Sequence, residues 1–183
     1  MWTERLLRAT SWTDQRLTLP WDAVESALET TLPGDYKRLC EAFGEGVFSG
    51  AYFPLSVSAG VSSDLLSNWR THLRYAPEPG SADERESLYA PYAIYRPGHG
   101  GLIPWGSSES AHGLFWLADA GSPDEWPTLA MWPDAEAGDW SRFDMSASEF
   151  MGRVILDPEF GGFGVADLVP QPFFMASMGD EAD

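Results

Sequence analysis

The chain has one cysteine, Cys40, one lysine, Lys37, and three histidines. A lone cysteine excludes a disulfide framework and a cysteine-built zinc site. His72, His99 and His112 do not pair at ligand spacing. The carboxylates of Asp134, Glu136 and Asp139 lack the alternating acids, central glycine and closing glutamate of a calcium loop, so no metal site is expected. No apolar run approaches the length of a membrane-spanning helix. The opening MWTERLLRATSW lacks the continuous apolar centre of a signal peptide, so a cytoplasmic protein is expected. No G-x-S-x-G elbow occurs, no G-x-G-x-x-G follows a strand, and no G-x-x-x-x-G-K-[ST] exists. "GGFG" (Gly161–Gly164) follows a helix that has already ended, so it is no phosphate cradle, and no cofactor is expected.

What the chain has in excess is acid. Twenty-eight Asp and Glu face eleven Lys and Arg, a formal charge of −17. Such a surface repels nucleic-acid phosphates and anionic lipid, and it draws a basic protein faster at low salt. At 183 residues and 44% hydrophobic, the chain suits one domain over 1–183 with an ordinary core.

Periodicity sets the expected elements. Trp21, Val24, Leu28 and Leu32 recur at helical spacing, and residues 1–20 are ambiguous, with Leu6 and Leu7 as a candidate start of a short helix. Pro33 suits the first turn of a second helix, striped by Tyr36, Leu39, Cys40 and Phe43 and closed by Gly44. Val47–Val57 reads as an edge strand or two short ones. Ser62 or Ser63 is expected to cap a helix carrying Leu65, Leu66, Trp69 and Leu73. Pro77–Ser87 reads as a solvated loop. Strands are expected at Leu88–Tyr95, Gly101–Trp105, Gly113–Asp119 and Thr128–Pro133, joined by short antiparallel connections. Ser146 and Glu149 have capping-box spacing ahead of a helix ended by Asp157-Pro158, and the tail over 161–183 reads as irregular and acidic. The sum is an α+β fold: a twisted, mainly antiparallel sheet packed on one side by amphipathic helices.

The stretch "GLIPWGSSESAHGLFWLAD" (Gly101–Asp119) brings Ser107, Ser108, Glu109 and His112 close in sequence. A small hydrolase using either serine with His112 is one reading, but it would need a buried acid to orient the imidazole. Strand, polar loop, strand is the better reading, since Ser, Gly and Glu are ordinary turn residues. Trp126 and Trp140 lie in acidic loops, where each ring either folds back onto the core, the usual fate of tryptophan, or stays exposed as a protein hot spot or a stacking platform for a sugar. The expected partner-binding residues are Glu45, Glu109, Asp124, Glu125, Trp126, Asp134, Glu136, Asp139 and Trp140.

Two stretches also resemble a known family. "LPGDYKRLCEAFGEGVF" (Leu32, Pro33, Asp35, Tyr36, then Gly44 and Gly46) is similar to the opening signature of the SUKH superfamily (Smi/Knr-like). Leu102–Gly106, then Phe115, Trp116 and Asp119, resemble its second signature, and "LAMWPDAEAGDWSRFDMSASEFMGRVI" resembles its closing part. The likeness spans about residues 21–156, with Pro77–Ser87 as an insertion and Phe43-Gly44 where an asparagine is common. It implies an α+β fold without catalysis. For bacterial members it implies an immunity protein that neutralises a toxin by binding it; eukaryotic relatives act in cell-wall and signalling regulation. The acidic composition suits a basic, nuclease-like toxin domain as partner. A regulatory or scaffold domain of the same fold is the alternative.

Overall fold

The structure, a computed structural model, describes residues 1–54, 64–78, 80–110, 113–119, 121–132 and 139–177. Among these are five helices: α1 (Trp2–Ala9), α2 (Trp21–Leu28), α3 (Gly34–Phe43), α4 (Leu65–Tyr75) and α5 (Ala147–Leu156). The strands are β1 (Gly46–Phe48), β2 (Tyr52–Pro54), β3 (Gly101–Ser108), β4 (Gly113–Ala118), β5 (Thr128–Met131), β6 (Trp140–Phe143) and β7 (Phe174–Ala176). They form one open antiparallel sheet in the order β6-β5-β4-β3-β2-β1-β7. The fold is α+β.

The helices begin and end where local chemistry allows. The α3 stripe of Tyr36, Leu39, Cys40 and Phe43 is buried, and Gly44 ends the helix at φ +75°, which costs glycine nothing. The α5 start is half a capping box. Ser146 Oγ accepts from the Glu149 N–H at 3.3 Å, but the Glu149 carboxylate turns to Arg153 instead of back to the chain. At α4 the cap is Asp64, whose carboxylate accepts from the Ser67 N–H and hydroxyl, both at 2.8 Å. Ser62 and Ser63, the expected caps, lie outside the described residues.

The centre of the sheet is covered on both faces. On one, Tyr36 stands edge-on to Trp116 at 4.8 Å between centroids, and Trp105 stacks on Trp116 at 6.0 Å. The Tyr36 hydroxyl donates to the Trp105 carbonyl at 3.0 Å, and Phe150 of α5 meets Trp105 edge-on. Trp2 of α1 lies flat on Gly152 of α5, where any side chain would strike the indole. On the other face, His72 of α4 packs against Phe115, the strand neighbour of Trp116 and so its opposite in facing. Hence α1, α3 and α5 share one face, as expected of the helices together, while α4 covers the other. Burying each large ring contributes about 1.5–3 kcal/mol. Against this, the indole N–H groups of Trp105 and Trp116 have no partner among the described residues, at about 1–3 kcal/mol each.

Several expectations change. Leu88–Tyr95 is no strand; it is a turn-rich crossing with one bridge, Ile94 to Leu102. Pro91 supplies no N–H there, and Tyr89 and Tyr92 are spent on His72 and Trp140 instead. β1 and β2 lie inside the sheet rather than at its edge, because β7, in the stretch read as irregular, pairs outside β1. Trp140–Phe143, read as loop, forms the other edge. Within Pro77–Ser87, Ala82–Glu86 makes a 3₁₀ turn. Residues 1–20, left ambiguous by pattern, begin with a full helix held by Trp2 and Leu6. Pro104 stands inside a central strand, which its missing N–H ordinarily forbids. A bulge between Pro104 and Gly106 accommodates it and turns Trp105 into the core.

Candidate functional site

Strand direction divides the loops between two ends of the sheet. At one end β1 runs into Ser49–Ala51, β3 into Glu109–Ser110 and β5 into Trp132, while β6 enters at Trp140. This is the hairpin end. At the other lie Glu45 before β1, Gly100 before β3, Asp119–Pro127 between β4 and β5, and Asp144 after β6. The six residues of β4 separate the ends by roughly 20 Å.

The expected partner-binding residues are therefore not one rim. Glu109, Asp139 and Trp140 are at the hairpin end; Glu45, Asp124, Glu125 and Trp126 are at the other. Asp134 and Glu136 lie outside the described residues. Nor are all of them free. Asp124 Oδ1 accepts from the Gly34 N–H at 2.6 Å and so satisfies an orphan donor at the α3 start. Trp126 is 5% exposed, a core ring despite its acidic neighbours. Trp140 is half-buried: its indole donates to the Ala90 carbonyl at 3.1 Å and its ring meets Tyr92 and Phe115 edge-on. A sugar-stacking platform of Trp126 and Trp140 thus loses Trp126 to the core and keeps only the half-buried Trp140. Glu109, Glu125 and Asp139 remain exposed, and Glu45 is half-buried.

The serines also change character. β3 continues through them, so both are strand residues and not turn residues. Ser107 pairs with Phe53 and Gly113, and Ser108 with Tyr52, so their side chains take opposite faces. Neither occupies the sharp strand-to-helix turn of a nucleophile elbow. His112 lies outside the described residues. Cys40 is buried, and burial pushes its thiol up to about 12, which keeps it protonated and unreactive.

One residue was missed. Trp132 follows the last paired residue of β5 at the hairpin end and is 39% exposed. Its ring rests on Phe163 at 4.8 Å and over Gly162. The signal was present in "MWP": a ring placed after the strand's last pairing and before a proline stands at the strand's end, where solvent reaches part of it. Tyr52 donates to the Phe163 carbonyl at 2.6 Å, which brings Phe163 of the loop after α5 to this same end.

The far end holds a cleft of about 600 Å³ lined by Thr30, Tyr95, His99, Asp119 and Trp126. Among the described residues no three His, Cys, Asp or Glu side chains are placed to hold a metal ion, and no helix is long and apolar enough to cross a membrane. Comparison of the chain with protein-family models, with curated proteins and with solved structures gave no match.

Proposed function

We propose that this chain is a non-enzymatic protein-binding domain of the immunity type, which occupies a basic partner through its hairpin end. Trp132 is the anchor, and Glu109 and Asp139 supply the charge around it. The observation that carries the reading is an exposed tryptophan at an acidic rim of a chain with formal charge −17. Aromatic anchors dominate interface energies, and exposed acids steer a cationic partner without needing close pairing. The resemblance to SUKH immunity signatures supports the same reading.

The test is titration against the product of the neighbouring gene. Trp132→Ala is expected to weaken binding at least tenfold. Raising salt from about 50 to about 500 mM is expected to weaken it further, as screening shortens the Debye length. Binding indifferent to both changes contradicts the proposal.

A further inference from the structure

The β7 edge of the sheet is unlike the rest of the surface. From Leu168 to Ser177 the chain carries no charged residue, and neither does Gly46–Pro54, which forms the two adjoining strands. Three apolar side chains there are open to solvent: Leu168 at 80%, Met175 at 57% and Phe173 at 42%. The edge is firmly attached. Phe174 packs on Trp12, Phe43 and Phe48, with centroids 4.8–5.0 Å away. Gly46 lets β7 approach β1 so closely that a side chain there would meet Met175 and Phe174.

The hydrogen-bond ladder shows which groups this edge offers. The Ser49 N–H donates to the Phe173 carbonyl at 2.8 Å, and the Ser177 N–H to the Glu45 carbonyl at 2.9 Å. Antiparallel pairs alternate between hydrogen-bonded and non-bonded. Val47 and Met175, midway between those two pairs, are therefore hydrogen-bonded to each other, and Met175 spends its N–H and C=O inward. Phe174 and Ala176 point theirs outward, and among the described residues β7 has no neighbour on that side.

We infer that this edge pairs with the β7 of a second copy of the chain, antiparallel about a two-fold axis through Met175. The register is self-complementary, as a two-fold interface requires. Phe174 exchanges both its hydrogen bonds with the second copy's Ala176, and Ala176 with the second copy's Phe174. Met175 meets the second copy's Met175 in a non-bonded pair, the geometry that brings side chains closest. The small Ala176 leaves room beside the large Phe174 ring. Charge permits this occupant: two chains of −17 repel overall, but along Leu168–Ser177 neither brings a charge to the contact. Glu45, the nearest acid on the neighbouring strand, lies one position beyond β1.

Three residues bury less than a standard interface, so the dimer is weak and concentration-dependent, acting in roughly the 10 µM to 1 mM range. Its salt response is the reverse of that proposed for the hairpin end: screening strengthens it. The two surfaces can therefore fail independently.

Sedimentation equilibrium of the whole chain tests the inference. The mass is expected to rise from 20.2 kDa toward twice that value with concentration, and more readily at high salt. Ala176→Pro removes an N–H that bonds nothing among the described residues and is expected to weaken association at least tenfold with an unchanged melting temperature. Should proline disturb the strand, Met175→Glu places like charges face to face on the axis and is expected to weaken association as much. A chain monomeric throughout that range at both salts overturns the inference. So does a dimer that survives both substitutions or loosens as salt rises.

Discussion

The two edges of the sheet are guarded differently. Asp139 precedes β6, exposed Arg142 lies within it and Asp144 follows it, and Arg142 is paired to Asp144 at 2.9 Å. β7 has no such guard. Charges along an edge strand discourage another strand from adding to it, and their absence permits it. Both edges are anchored by a phenylalanine driven into the same helix-covered face: Phe143 against Phe150, Phe160 and Phe163, and Phe174 against Phe43, Phe48 and Trp12. The anchoring is alike, so the difference concerns what each edge admits rather than how it is held. In so acidic a molecule, partner class is decided locally, by where charge stops.

The largest effect expected on this comparison comes from the anchors. Phe174→Ala should cost about 3–5 kcal/mol in urea unfolding, and it should abolish self-association by loosening β7. Phe143→Ala should cost less, since that ring is only partly buried, and should leave self-association intact. Loss of the dimer from Phe143→Ala, or its survival in Phe174→Ala, would erase the distinction.

Acid should separate the two halves next. His72 lies behind β4, bonded through Nδ1 to the Tyr89 hydroxyl at 2.9 Å, and burial lowers its pKa below the ordinary 6.5. Between that lowered value and 6.5 the unfolded chain binds more protons than the folded one. Stability from this site is therefore full above pH 6.5 and declines as pH falls through the lowered value. Unfolding midpoints measured from pH 8 downward should show that decline, and His72→Gln should flatten it. Amide exchange should speed up around β4 and α4 before β7. The smallest effect is at the guard itself. Arg142→Thr breaks an exposed ion pair and should shift stability by less than about 0.5 kcal/mol.

Much of the interior was legible from pattern. The Tyr36–Phe43 stripe, the Gly101–Ala118 hairpin and the Ser146 cap each rest on spacing within a dozen or so residues, and each stands in the structure. What pattern could not give depends on distant partners. β7 is a strand because Gly46 admits it and Phe174 fills a pocket of rings far back in the chain. Trp126 is buried although its neighbours are acids, since adjacent side chains are free to face opposite environments. The binding surface was the least legible. Acidic loops far apart in sequence are all expected at the interface, but the parity of strands between Glu45 and Glu109 sends them to opposite ends, and only the pairing order reveals it.

The central claim is that partner contact falls on the hairpin end. Hydrogen–deuterium exchange of the chain, alone and bound to the neighbouring gene's product, tests it most directly. Slowed exchange is predicted at Ser49–Ala51, Glu109–Ser110, Trp132 and Asp139–Trp140, with Asp119–Trp126 unchanged. Protection confined to Asp119–Trp126 and Glu45, with the hairpin end exchanging as in the free chain, would contradict it.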